Sequence, residues 1–225
     1  MSLLQNPKVK ICAVTKGHSI QEVEKLLKKY PEIKIIAENR WPDCQEKFEH
    51  FGNTKMFPKL EKHFIGPLQS NKINKIVPLV DVIQSVDSAK LIEKIDQAAG
   101  ALGKKIKFCI QLNISADPQK HGISKEQLDN LIEFYLNQNF KNVELIGLMT
   151  IGEQTDLEER RKYFSEFKRF FDEANKRYFS ENISPKTSTH PALSVLSMGM
   201  SEDYQIAIEE GATMVRLGRV LFQSI

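Results

Sequence analysis

Short apolar segments alternate with longer amphipathic ones along the whole chain, and this alternation restricts the possible folds more than any other feature. Eight segments are short, rich in Val and Ile and apolar throughout, as strands of a parallel sheet covered on both faces are. These predicted strands span residues 9–15, 34–37, 63–65, 82–85, 106–113, 144–149, 194–197 and 214–217. Apolar residues recur every three or four positions in six intervening segments, which predicts helices over 20–29, 72–77, 89–102, 125–138, 157–177 and 203–210.

Eight strands with intervening helices and no break in composition predict one domain, residues 1–225, folded as a (β/α)8 TIM-type barrel. The alternative is an open doubly wound sheet, but the chain has neither a GxGxxG motif nor a P-loop lysine motif to favour it. The polar stretch 179–193 predicts a surface loop, with a lid as the alternative.

Composition excludes several classes of function. A formal net charge of +3 is too small to indicate a nucleic-acid partner. Three cysteines without a CxxC pair do not predict a metal site; Cys12 and Cys109 are expected to be small buried apolar residues, whereas Cys44 lies in a polar segment and receives no assignment. The chain has neither a segment of membrane-spanning length nor a signal-peptide core, so we expect a cytoplasmic protein.

The candidate site follows from barrel geometry, because active sites of this fold form at the carboxyl ends of the strands. Polar residues and glycines occur at these ends. They are Lys16, Glu38, Asn39, Gly66, Ser85, Asn113, Met149 with Thr150, Ser197 to Gly199, and Arg216 with Gly218 and Arg219.

Lys16 ends the first predicted strand and precedes a Gly17 turn. A lysine at such a position can form a Schiff base when partial burial and nearby cations lower its pKa, although a solvated strand end is the commoner explanation. Arg216 has two candidate partners, Glu38 in a salt bridge or a ring nitrogen of a ligand.

The segments SMGMSED and RLGR follow the seventh and eighth strands, where barrels of this type usually bind phosphate. Ser197, Ser201 and backbone amides near a helix start could bind the anion. The alternative is that Ser201 only caps the helix.

These motifs together resemble the pyridoxal phosphate homeostasis protein family, single-domain barrels of the alanine-racemase-like class (fold type III) that bind pyridoxal 5'-phosphate (PLP). The similarity covers nearly the whole chain. Its segments are AVTK, AENR, HFIGPLQSNK, QLNIS, KHGIS, ELIGLMTIG and LSMGMSEDYQIAIEEGATMVRLGRVLF.

The resemblance implies a set of cofactor-binding residues and no metal. Lys16 would carry PLP as an internal aldimine, Asn39 and Met149 would lie near the ring, Arg216 would face the pyridine nitrogen, and Ser197, Ser201, Gly218 and the Arg219 backbone would hold the phosphate. The implied role is that of a PLP carrier in intracellular PLP homeostasis without robust turnover, a monomer that supplies PLP-dependent apoenzymes. It implies neither a nucleic-acid nor a membrane partner.

Two other functions remain open. A PLP-dependent amino-acid racemase or related isomerase needs an acid/base group on each face of the ligand, and His63 is the best internal candidate to complement Lys16. A barrel that has lost the cofactor and acts through partners is the third possibility, which the joint presence of Lys16, Arg216 and SMGMS disfavours.

Three departures from the family pattern carry expectations of their own. Only residues 1–8 precede the first strand, where the family has an N-terminal helix. Ala37 replaces the glycine of the family's GENR motif. In the family a helix follows this motif promptly, whereas here Trp41, Pro42 and Asp43 intervene before Cys44, Gln45 and Glu46, so we expect a differently shaped loop after Asn39.

Overall fold

The protein is a closed barrel of eight parallel strands in which each strand pairs with the next and the last pairs with the first. The computed structural model describes residues 8–115, 121–152, 155–180 and 190–223. The strands are β1 Lys10–Val14, β2 Ile35–Glu38, β3 Glu61–Phe64, β4 Val82–Val86, β5 Ile106–Leu112, β6 Val143–Thr150, β7 Val195–Ser197 and β8 Met214–Leu217. The predicted barrel is confirmed.

Helices cover the outside of the barrel. They are α1 Ile20–Lys29, α2 Trp41–Asn53, α3 Ile73–Ile76, α4 Ala89–Gly100, α5 Lys125–Asn137, α6 Leu157–Tyr178, α7 Tyr204–Glu209 and α8 Arg219–Phe222. The 3-10 segments Ser70–Lys72 and Val77–Leu79 flank α3. Neither α2 nor α8 was predicted from apolar spacing.

Helix α2 corrects the expectation of an altered loop after Asn39. The helix begins at Trp41, and Pro42 is tolerated because it lies in the first turn, where no intrahelical amide bond is needed. One side of α2 is buried at positions three or four residues apart. These positions are Cys44, Lys47, Phe48 and Phe51.

The hydrophobic core has two layers. The outer layer lies between strands and helices and includes Phe164, Phe167, Phe171 and Ala174, which form the buried apolar face of α6. The inner layer fills the barrel. It consists of Cys12, Ile35, Ala37, Cys109, Met149, Val195 and Met214. Side chains of each strand therefore alternate between two buried layers.

The described part of the predicted loop 179–193 is anchored at its carboxyl end. The Asn175 side chain donates a hydrogen bond to the Leu193 carbonyl at 3.1 Å and accepts one from the Leu193 amide at 2.8 Å. Residues 181–189, on which the choice between loop and lid depends, lie outside the described residues, as do residues 1–7 and Lys120 of KHGIS. In the described part of the chain, no helix is long and apolar enough to span a membrane.

Candidate functional site

A cavity of about 190 Å³ opens at the carboxyl ends of β1 and β8, beside the loops that follow β6 and β7. Five of the predicted site residues line it. They are Lys16, Ser201, Arg216, Gly218 and Arg219. Arg160 of α6 also lines the cavity. This residue was not predicted, because it lies in a helix and the candidate residues were taken from the strand ends.

Lys16 directly follows Thr15 at the end of β1 and is exposed. A partly buried amine was expected at this position, but in the structure Lys16 is exposed at the rim of the barrel. The register of β1 with β8 pairs Cys12 with Arg216, and a Cβ added to Gly218 would lie 3.3 Å from the Val14 carbonyl oxygen. This close approach brings the loop after β8 beside the residues that carry Lys16.

Arg216 points into the barrel and is 3% exposed. Its Nη1 donates to Ser197 Oγ at 2.8 Å, and its Nη2 donates to the Thr150 carbonyl at 2.7 Å. Burial lowers the pKa of Arg216 from its usual value, but a guanidinium is basic enough to keep its charge. The salt bridge with Glu38 that the sequence left open is not formed, since Glu38 pairs with Lys47 of α2 at 2.6 Å.

A row of hydrogen bonds supports Arg216 from below. Ser197 Oγ lies 2.7 Å from Gln84 Oε1 and donates to it, and Gln84 Nε2 lies 2.7 Å from His63 Nδ1. With Nδ1 as the acceptor, the His63 proton is assigned to Nε2, which is 3.2 Å from Glu61 Oε2. Contact with His63 lowers the pKa of the Glu61 carboxyl. The hydrogen bonds therefore run from His63 to the guanidinium of Arg216, and Glu61 contacts His63 at the lower end of the row.

Two predicted site residues lie inside the barrel and do not line the cavity. The Ser197 hydroxyl is bonded to Arg216 and Gln84 beneath the mouth. Met149 is fully buried in the inner layer, where it packs with Cys109 and Met214. Both residues lie beneath the mouth of the barrel, where they can support the residues that line the cavity.

The loops after β7 and β8 meet at Ser201 and Gly218. The Gly218 amide donates to Ser201 Oγ at 3.4 Å, a length at which a hydrogen bond is weak and both groups stay available to a ligand. Ser201 does not cap α7, whose N-cap residue is Asp203. Gly199 is required in this turn because its φ is +88° and a Cβ would lie 2.5 Å from the Ala207 Cβ.

Asn39 lies at the end of β2, against the turn that follows β3. A Cβ on Gly66 would lie 2.0 Å from the Asn39 carbonyl oxygen, so only glycine allows this approach. Asn39 Oδ1 is buried and has no hydrogen-bond partner among the described residues. Because buried polar atoms are generally paired, this oxygen is a candidate acceptor for a ligand.

The three cysteines are buried, which confirms the expectation for Cys12 and Cys109 and answers the open question about Cys44. Burial raises the pKa of Cys12 and of Cys44 to about 12, with Glu38 and Asp43 adding to the effect at Cys44. Burial also raises the pKa of Cys109 well above its usual value. The thiols are therefore protonated packing groups at neutral pH.

We expect a thiol reagent such as dithionitrobenzoate to leave all three cysteines of the native protein unmodified at pH 8, because the thiolate is the reactive form and none is accessible. In guanidinium chloride all three should react. The measurement is the absorbance of released thionitrobenzoate against time. Rapid reaction of one native thiol, located by peptide mass mapping, would contradict the buried placement of that cysteine.

Comparison with known proteins agrees with the geometry. The alanine racemase N-terminal domain family matches residues 1–224. A pyridoxal phosphate homeostasis protein of Synechocystis is 34% identical over 221 residues, which cover 96% of this chain and 91% of that protein. One from Aquifex aeolicus is 36% identical over 191 residues, covering 84% of this chain and 76% of that protein. This chain belongs to the pyridoxal phosphate homeostasis protein family.

A solved structure is similar to this protein in fold as well as in sequence. PipY of Synechococcus elongatus, solved with PLP bound, superposes with a TM-score of 0.82 at 31% identity, over 98% of this chain and 96% of that one. The Ala37 departure is accommodated in this chain, because Ala37 is a buried residue of β2 that pairs with Val14 and His63.

Proposed function

We propose that this protein binds PLP as an internal aldimine on Lys16 and acts in PLP homeostasis by holding the cofactor, without robust turnover. The observation that carries the proposal is the convergence of one amine, one buried guanidinium and two loops, at Ser201 and Gly218, on a single cavity. The names of the relatives and the PLP bound to PipY support the same ligand.

The residues present fit this cofactor. Lys16 offers an amine that condenses with the aldehyde carbon of PLP, and the aldehyde oxygen leaves as water. Ser201, Gly218 and the Arg219 backbone would hold the phosphate where the two loops meet. Asn39 does not line the cavity, but its buried Oδ1 is unpaired among the described residues, and in this proposal it would be an acceptor near the ring. In this proposal Met149 and Ser197 act from below, and Ser197 acts by holding Arg216.

Arg216 favours holding the cofactor over transforming it. PLP supplies an electron sink that is strongest when its pyridine nitrogen is protonated. A guanidinium donates hydrogen bonds and does not give up its proton, so a nitrogen facing Arg216 stays unprotonated. The charge and burial of Arg216 therefore weaken the chemistry that decarboxylation and transamination require.

The racemase alternative requires a second acid/base group opposite Lys16. The candidate named from the sequence, His63, is 1% exposed and bonded to Gln84 inside the barrel, so it is positioned as a structural residue. Exchange of solvent deuterium into the Cα position of added amino acids would support the racemase, provided that free PLP under the same conditions gives none.

Delivery of PLP to apoenzymes by a monomer is part of our proposal.

The experiment that tests the proposal is a visible spectrum of the purified protein with added PLP, followed by borohydride reduction and peptide mass mapping. We expect a single reduced adduct on Lys16, because its amine lines the cavity that the two loops close. No adduct, or an adduct spread over many surface lysines, would refute the proposed site.

A further inference from the structure

A buried ion pair lies directly behind the segment that carries Lys16. Glu38 at the end of β2 is fully buried, and Lys47 of α2 is 6% exposed. Lys47 Nζ lies 2.6 Å from Glu38 Oε1. Charged side chains are seldom fully buried unless they are paired, and here the pair lies on the outer wall of the barrel, between strand and helix.

Both members of the pair also hold Thr15, the residue before Lys16. Lys47 Nζ donates to the Thr15 carbonyl oxygen at 2.7 Å, and the Thr15 hydroxyl donates to Glu38 Oε1 at 2.6 Å. The Thr15 amide donates to the Ala37 carbonyl at 3.0 Å. The Thr15 carbonyl belongs to the peptide group whose nitrogen is that of Lys16, so Lys47 fixes the orientation of that peptide plane.

The ion pair is a poor device for stability alone. Burying two charges removes their hydration, and the attraction between them compensates only when the remaining polar atoms are satisfied. Glu38 Oε2 is buried and has no hydrogen-bond partner among the described residues. Well-packed apolar residues at these positions would stabilise the barrel as well or better.

The amine of Lys16 needs such support from its backbone. The Lys16 side chain is exposed and long, and at a rim it would otherwise sample many rotamers. Effective reaction between two groups requires that both be held near the attack geometry. Because the peptide plane between Thr15 and Lys16 is fixed, the position of the Lys16 Cα, from which the side chain extends, is restricted.

We infer that Lys47 and Glu38 are positioning residues that orient Lys16 toward the aldehyde of its ligand. This inference rests on the proposed function. It assigns a role to Lys47, the lysine on the buried face of α2. Lys47 does not line the cavity and would not touch the ligand.

The test compares two ligands that differ only at the reacting carbon. PLP carries the aldehyde, whereas pyridoxine 5'-phosphate carries an alcohol and cannot form an imine. For Lys47→Met we expect the apparent affinity for PLP, and the yield of borohydride-trapped adduct on Lys16 at a fixed PLP concentration, to fall about tenfold, as the loss of one charge-assisted hydrogen bond does. Affinity for pyridoxine 5'-phosphate should change by less than about twofold.

Three further variants control for folding and chemistry. Lys47→Arg keeps a donor and should recover part of the adduct. Thr15→Val removes the short hydroxyl bond to Glu38 Oε1 and the longer one to the Ala37 carbonyl, while the bond from Lys47 to the Thr15 carbonyl stays, and we expect the same selective loss at smaller size. Lys104→Met is the matched control, because Lys104 also donates to backbone carbonyls but does not line the cavity; the carbonyls are those of Val77, Pro78 and Val80. It should leave both affinities unchanged.

The outcomes separate the two proposals. Equal weakening of both ligands by Lys47→Met and Thr15→Val in folded protein would overturn the positioning role and leave a structural one. Unchanged PLP binding in both variants would overturn it as well. If wild-type protein bound pyridoxine 5'-phosphate but gave no adduct on Lys16, the proposed function itself would fail, independently of any substitution.

Discussion

Replacement of Lys16 by alanine should eliminate the covalent adduct with PLP altogether. Lys16 is the lysine that lines the described cavity, and without its amine no imine can form there. The groups around Ser201 and Gly218 remain, so we expect weak residual binding of PLP through its phosphate. The measurement is borohydride reduction followed by intact-protein mass, together with a titration of the visible absorbance.

Two variants control for the charge and for surface chemistry. Lys16→Arg keeps the positive charge and should also give no adduct. Lys25→Ala removes an exposed lysine of α1 and should behave as wild type. An adduct of undiminished yield in Lys16→Ala, mapped to another lysine, would contradict the assignment of Lys16.

Replacement of Arg216 by glutamine should weaken PLP binding by about ten- to a hundredfold, the expected range for a lost hydrogen bond from a charged group. The visible spectrum of bound PLP should shift, because the group that we propose to face the pyridine nitrogen loses its charge. The protein should also lose about 1–3 kcal/mol of stability, since Ser197 Oγ and the Thr150 carbonyl lose a buried donor. Absorbance titration and chemical denaturation measure the two effects separately.

Arg219→Gln provides the matched control for this prediction. Arg219 lines the same cavity, but its side chain is exposed and bonded to Glu202 at 2.5 Å, and the proposal uses only its backbone. Binding in this variant should stay close to that of wild type. If Arg216→Gln kept both the affinity and the spectrum of wild type, the contact with the pyridine nitrogen would be wrong.

Most strands could be predicted because they are compact apolar runs that contain Val or Ile, whereas β3 has the sequence EKHF and was predicted only from residue 63 onward. Helices α1 and α3 to α7 could be predicted from their apolar spacing. Helix α2 was not predicted from apolar spacing, since the sequence WPDCQEKFEH has a proline at its second position and Lys47 interrupts its apolar stripe. The buried positions 44, 47, 48 and 51 do have helical spacing, which was the signal available.

The residues of the cavity could be predicted from the strand ends and the family motifs, because connectivity alone puts every strand end of a parallel barrel at one mouth. Arg160 could not, since it lies near the start of α6 and not at a strand end. The partners of Arg216 could not be predicted either. Ser197 and Gln84 are separated by 113 residues in the chain, and only closure of the barrel brings them together.

The sequence by itself determined the order of the elements, the closed barrel and the place of Lys16 at the mouth. Only the tertiary structure decided which strand-end side chains point inward and which point outward. Alternation along a strand has a period of two, but both faces of these strands are buried, so apolar pattern does not distinguish them. Because of this ambiguity, a salt bridge between Glu38 and Arg216 was one alternative. In the folded barrel Glu38 faces outward to Lys47 of α2, and Arg216 faces inward to Ser197.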